Sequence, residues 1–175
     1  GADMIDDADL ALATQVLDAC RAAGLMLATA ESCTGGLVAA ALTAIAGSSD
    51  VVERGFITYS NAAKSELLGV PAPLIADKGA VSAEVAAAMA EGAVARARVG
   101  LAVSITGIAG PGGATPGKPV GLVHFGLARQ GAATRTEQRF FAGDRAAVRA
   151  QALRLALGLL LAGAQAAKTT SPHTG

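Results

Sequence analysis

Leu25-Met26-Leu27-Ala28-Thr29-Ala30-Glu31-Ser32-Cys33-Thr34-Gly35-Gly36 decides how the chain folds. Leu25–Ala30 is an apolar run of strand length, too short for a helix. It breaks into hydroxyls and two glycines, after which Leu37–Ile45 reads as a helix. A strand that turns directly into a helix is the unit of a layered α/β domain. The turn brings backbone N–H groups and hydroxyls to a helix N-terminus, where an anion is favoured. Ser32, Thr34, Gly35 and Gly36 are therefore candidate substrate-binding residues. A tight β–α turn capped by Ser32 or Thr34 accounts for the same pattern without a ligand, and short glycine motifs leave both readings open.

Outward from that unit the elements alternate. Asp6–Ala23 reads as a helix with acidic residues at its start and Gly24 as its stop. Gly47-Ser48-Ser49-Asp50 is a turn, and Gly55–Ser60 has the β-branched and aromatic bias of a strand. Asn61 is the expected N-cap of a helix that carries Lys64 and closes at Gly69. Ser82 with Glu84 opens another helix through Ala97, followed by a strand at Leu101–Ile105. Gly107–Pro119 is the longest Gly/Pro segment. Val120–Ala128 and Thr134–Phe141 suit a hairpin, and Asp144–Leu161 a last helix with Leu153, Leu157 and Leu160 on one face. This order implies one α/β domain with a mixed sheet over 6–164, with flexible termini at 1–5 and 165–175.

The composition narrows the function classes. Of 175 residues 52% are hydrophobic and 16% charged, with no Trp, so the core must be built from Ala, Val, Leu and Ile. Lys plus Arg number 14, as do Asp plus Glu, so no long-range attraction to nucleic acid or to an anionic membrane is expected. Cys20 and Cys33 are too few for a disulfide framework and lack metal-ligand spacing, which reads as two thiols in a reducing compartment and no metal. The acidic start (Asp3, Asp6, Asp7, Asp9) carries no basic leader pattern, and Leu155–Ala164 is too short to span a bilayer. A soluble cytoplasmic protein is expected.

Three segments can carry chemistry. Ser49 and Lys64 flank the hydroxyl-rich run Thr58-Tyr59-Ser60-Asn61. A serine becomes a nucleophile only with a base, and a desolvated lysine can be one. His124 and His173 are the only histidines, so a Ser–Lys pair suits a hydrolase here better than a Ser-His-Asp triad. Tyr59, Ser32 or Thr106 would donate to an oxyanion or relay protons. A solvated helix lysine beside two capping serines is the bland alternative. Second, Gly107-Ile108-Ala109-Gly110-Pro111-Gly112-Gly113 follows a strand but matches neither a P-loop nor Rossmann spacing. Its glycines (Gly107, Gly110, Gly112) allow close backbone approach to a ligand. Third, Arg145 at a helix start is mildly disfavoured by the helix dipole, which leaves a substrate-facing role open beside the default of a surface arginine. His124 is expected merely to point out from its strand.

Taken in order, several blocks resemble a known family. They are Ala30–Gly36, Gly47-Ser48-Ser49, Arg54–Lys64, Gly79-Ala80-Val81-Ser82, Ser104–Gly113 and Lys118-Pro119-Val120-Gly121. Together they look like the CinA C-terminal-domain family over roughly residues 8–163. The resemblance implies a three-layer α/β/α sandwich with a mixed, mostly parallel sheet. It implies nicotinamide-nucleotide amidohydrolase activity, converting nicotinamide mononucleotide and water to nicotinate mononucleotide and ammonia. It further implies Ser49 as nucleophile and Lys64 as base, with Tyr59, Ser32, Thr106 and Arg145 in support and Asn61 close by. In many bacteria the family's domain follows a larger one related to molybdopterin-binding proteins. Ala114 and Gly117 depart from the family's loop pattern without touching a proposed catalytic group.

On this reading Ser49 forms an acyl-enzyme and Ser49→Ala abolishes turnover. The phosphate of a pyridine nucleotide sits in one of the two glycine-lined turns. No cofactor is required, and the apolar helix faces make a homodimer the expected assembly. Two rivals are a nucleotide-binding module that has lost catalysis and a Ser–Lys amidase acting on other substrates.

Overall fold

The computed structural model describes residues 4–170. Its elements in chain order are α1 (Asp7–Ala23), β1 (Leu27–Glu31), α2 (Leu37–Thr43), β2 (Val52–Ile57), α3 (Asn61–Leu68), α4 (Ala72–Lys78), α5 (Ala83–Ala97), β3 (Leu101–Gly107), β4 (Leu122–Arg129), β5 (Arg135–Phe140) and α6 (Arg145–Thr170). A short 3-10 turn, Ser48–Asp50, precedes β2. The five strands form one sheet in the order β2-β1-β3-β4-β5. β1 is parallel to β2 and β3, whereas β4 is antiparallel to both β3 and β5, so four of the five strands point the same way. The sheet is mixed and mostly parallel, as expected.

Side-chain size along the strands decides which helix packs where. Leu27, Leu101, Val103, Ile105, Val123, Phe125 and Leu127 project to one face and form a core with α1, α2 and α6. Successive strand residues face opposite ways, and the alternate positions are small. Ala28, Ala30 and Ala102 meet Val85, Met89 and Ala93 of α5 on the other face. Gly126 of β4 belongs to this small-residue face: a Cβ there would collide with the Ala86 carbonyl oxygen and the Ser104 hydroxyl. The result is three layers, with α1, α2 and α6 on one side and α3, α4 and α5 on the other.

Chain order creates the crevice where a ligand fits. From β1 the chain crosses through α2 to β2 at the edge, then returns over the opposite face to β3. The carboxyl ends of β1 and β3 are thus a topological switch point, where α/β sheets hold ligands because the connecting loops diverge.

Several local boundaries differ from the sequence reading. Ser60 rather than Asn61 caps α3, its hydroxyl accepting from Ala63 N. The α4 helix, which starts behind Pro71, is an additional element, and α6 runs on to Thr170 through the stretch expected to be flexible. Residues 1–3 and 171–175, including His173, lie outside the described residues. By length and composition α6 could cross a membrane, yet Val148, Ala152, Leu153, Ala156, Leu157 and Leu160 are buried in this domain's own core. Gly126→Ala is predicted to push α5 off the sheet and cost about 1–3 kcal/mol, read as a lower urea midpoint at unchanged slope.

Candidate active site

Glu31, the last residue of β1, is fully buried. Its carboxylate accepts from Thr34 Oγ1 at 2.7 Å, Thr29 Oγ1 at 3.3 Å, Val38 N at 3.0 Å and Ala39 N at 3.1 Å. The last two are N-terminal amides of α2, whose own N-cap is Gly36 and offers no side chain. Glu31 thus caps α2 from within the sheet and supplies the anion that the helix dipole favours. The amides of Val38 and Ala39, which a phosphate at this helix end would use, are already hydrogen-bonded to a carboxylate. Ser32 continues the β1 ladder, its N–H bonding the Ile105 carbonyl. Arg149 of α6 braces the rest of the turn, donating from Nε to the Cys33 carbonyl at 3.0 Å and from Nη2 to the Thr34 carbonyl at 3.3 Å.

Lys64, in the first turns of α3, is 2% exposed. Its Nζ lies 3.1 Å from Ser32 Oγ and donates to the carbonyls of Thr58 at 2.9 Å and Tyr59 at 3.4 Å. Among the described residues the amine's hydrogen-bond partners are a hydroxyl and two carbonyls, not a carboxylate. Burial lowers its pKa from the ordinary lysine value because the ammonium loses solvation. The neighbouring Cys33 thiol is pushed up to about 11, also by burial, so it stays protonated and inert.

Ser32, Tyr59, Asn61, Lys64, Thr106 and Arg145 line one cavity of about 180 Å³ at the switch point. Arg145 ties its far wall together, donating to the Gly110 carbonyl at 2.9 Å and to Tyr59 Oη at 3.0 Å. An accepting phenol still has its own hydrogen to donate. Thr106 is the opposite case, since its hydroxyl hydrogen goes to the Ala80 carbonyl at 2.8 Å. Toward the cavity Thr106 can therefore only accept, which removes it as an oxyanion donor. Asn61 offers both donor and acceptor.

Of the glycines, Gly107 lines the cavity and Gly110 is tethered by Arg145. Gly35 and Gly36, at φ +57° and +105°, serve the turn itself. Gly112 is exposed on the loop, and Thr34 is buried on Glu31.

Ser49 is not part of this assembly. It is exposed in the 3-10 turn before β2, whereas Lys64 follows the far end of that strand. The six residues of β2 separate them, roughly 20 Å at about 3.3 Å per residue. The expected Ser49–Lys64 pair is thus not formed. The physical reason is the parallel crossover: α2 carries the chain back to the start of the sheet, and β2 returns it to the site. Ser32 and Lys64, one after each of two adjacent parallel strands, are the pair that meets.

Known proteins match this chain in sequence and in fold. The sequence model of the CinA C-terminal domain matches residues 9–163. The chain belongs to the CinA C-terminal domain family. A CinA-like protein of Citrifermentans bemidjiense is 60% identical over 129 residues, 74% of this chain but 31% of that protein. The chain thus spans about a third of the CinA-like proteins it matches. The nicotinamide-nucleotide amidohydrolase PncC of Escherichia coli is 50% identical over 157 residues, 90% of this chain and 95% of the relative. The crystal structure of competence/damage inducible protein CihA from Agrobacterium tumefaciens superposes with a TM-score of 0.87 at 44% identity, covering 92% of this chain and 98% of that one. Among the described residues no group of three or more His, Cys, Asp or Glu side chains could hold a metal ion.

Glu31 and Arg149 escaped the sequence reading. Arg149 carried a signal, since it lies four residues after Arg145 on one helix face. Glu31→Gln is predicted to cost about 2–3 kcal/mol, because two helix amides lose a charged acceptor. Urea denaturation measures this, and an unchanged midpoint would show that the carboxylate does not hold the turn.

Proposed function

We propose that the chain hydrolyses the carboxamide of nicotinamide mononucleotide, giving nicotinate mononucleotide and ammonia, with Ser32 as nucleophile and Lys64 as its base. The observation that carries this is the 3.1 Å contact between Ser32 Oγ and a buried lysine amine whose pKa is lowered. The match to the Escherichia coli amidohydrolase across nearly its full length supports the substrate.

The geometry supports the following steps. Neutral Lys64 accepts the Ser32 hydroxyl proton as Oγ attacks the carboxamide carbon. Tyr59, whose oxygen already accepts from Arg145, gives its hydrogen to the developing oxyanion. Thr106, an acceptor toward the cavity, takes a hydrogen bond from the carboxamide NH2 and so orients the leaving nitrogen. The C–N bond breaks and Lys64 returns its proton to the departing ammonia. Water then attacks the nicotinoyl ester with Lys64 again as base, and the proton goes back to Ser32 as acid is released. Water is the sole co-reactant. Thr58 and Tyr59 carbonyls hold Nζ within hydrogen-bond reach of Oγ, the kind of positioning that makes intramolecular proton transfer fast.

Ser32→Ala is predicted to lower turnover by about 10³-fold or more while the fold persists, whereas Ser49→Ala stays near the parent. The reverse pattern in an ammonia-release assay would overturn the assignment. The pH dependence has a definite sign. Below its pKa Lys64 is protonated and cannot accept, so kcat/KM rises with pH on an acidic limb. That limb lies below the ordinary lysine value because burial lowers the pKa. Lys64→Arg keeps the charge but cannot lose it; it should abolish turnover at every pH. Activity in that variant would remove Lys64 as the base.

A further inference from the structure

The reactive cavity, about 180 Å³, is too small for a whole nucleotide, and it adjoins a second cavity of about 680 Å³ that shares Ala109 and Arg145 with it. Pro111 and Val120 of the glycine-rich loop form one wall of the outer cavity, and Gly143, Arg145 and Arg149 the other. Two guanidiniums therefore face it against one carboxylate, Asp144. That carboxylate is turned to the helix, where Oδ1 accepts from Ala147 N at 2.9 Å. Arg149 commits Nε and Nη2 to the carbonyls of the Ser32 turn, which leaves Nη1 as the nitrogen not tied to them. A planar guanidinium fixed on one edge presents its other edge to a tetrahedral anion.

We propose that Arg149, beside Arg145, binds the 5′-phosphate of the substrate in this outer cavity and sets a preference for the phosphorylated nucleotide over the riboside. The inference rests on the amidohydrolase reading above and deepens it. The nicotinamide ring occupies the inner cavity, the ribose passes Arg145 and Ala109, and the phosphate reaches Arg149. Because Arg149 also braces the turn that carries Ser32, phosphate binding and nucleophile placement run through one side chain.

The test compares kcat/KM for nicotinamide mononucleotide and nicotinamide riboside in the parent, Arg149→Gln and Ala146→Glu. Ala146 lies on the wall of the same cavity, so its replacement adds a negative charge without touching the Arg149 bonds. For Arg149→Gln both values should fall, because the Ser32 turn loses its brace, but the mononucleotide value should fall about 10- to 100-fold further than the riboside value, the excess mostly through KM. Ala146→Glu should raise KM for the mononucleotide alone. Equal losses on both substrates would mean that Arg149 only braces the turn, and an unchanged mononucleotide KM in both variants would equally overturn the proposal. If the parent deamidates neither compound, the amidohydrolase reading fails by itself. The phosphate subsite is then judged by calorimetry with ribose 5-phosphate. Saturable binding to the parent that Arg149→Gln loses supports it, and absence of binding to the parent rejects it.

Discussion

Four hydrogen bonds converge on the buried carboxylate of Glu31, and the geometry of the site depends on them. A buried charge is tolerated only when its lone pairs are satisfied. Here the donors are two hydroxyls and two amides at the start of α2. Meeting that requirement fixes the angle at which α2 leaves β1 and folds residues 32–36 into a tight turn. Ser32 is thereby held at the carboxyl end of β1, next to the end of β3, where the crossovers leave a crevice. Arg149 clamps the same turn from α6, so its position is fixed by the sheet and by a helix packed on it.

Lys64 reaches that serine from the neighbouring strand's carboxyl end. The environment that lowers its pKa is the one that makes it useful: burial disfavours the ammonium, while two carbonyls and a hydroxyl keep the amine in place. A carboxylate beside it would restore the charge and remove the base. Glu31 is spatially close in sequence terms to Ser32 but is saturated by α2, so the anion and the lysine serve separate tasks. Tyr59 and Thr106 then divide the two faces of a carboxamide, because Arg145 and Ala80 have already consumed one hydrogen-bonding capacity of each.

Much of this was legible in the residues. The apolar run before Glu31 and the two glycines after Thr34 announced a strand–turn–helix unit, and the alternation of strands and helices announced the layers. α4 was hidden because seven residues behind a proline carry no clear period. The extent of α6 was hidden because its alanine-rich end looks featureless. At the site, Ser32, Tyr59, Asn61, Lys64, Thr106 and Arg145 were all named from the sequence, and one cavity gathers them. Ser49 was named too, on nearness along the chain and on the family resemblance. Nearness fails in a parallel α/β unit, where each helix returns the chain to the opposite end of the sheet. Reading the loops at the carboxyl ends of parallel strands as one site would have paired Ser32 with Lys64. Glu31 had no such signal, since only the folded turn shows that its carboxylate meets amides seven and eight residues later.

The most direct measurement is to trap the covalent intermediate. Protein mixed with nicotinamide mononucleotide and quenched in acid within one turnover is digested, and the adduct is located by peptide mass mapping. An ester of the nicotinoyl nucleotide on Ser32, present in the parent and absent in Ser32→Ala, is the predicted result. An adduct on Ser49, or steady ammonia release with no ester on any serine, would contradict the account.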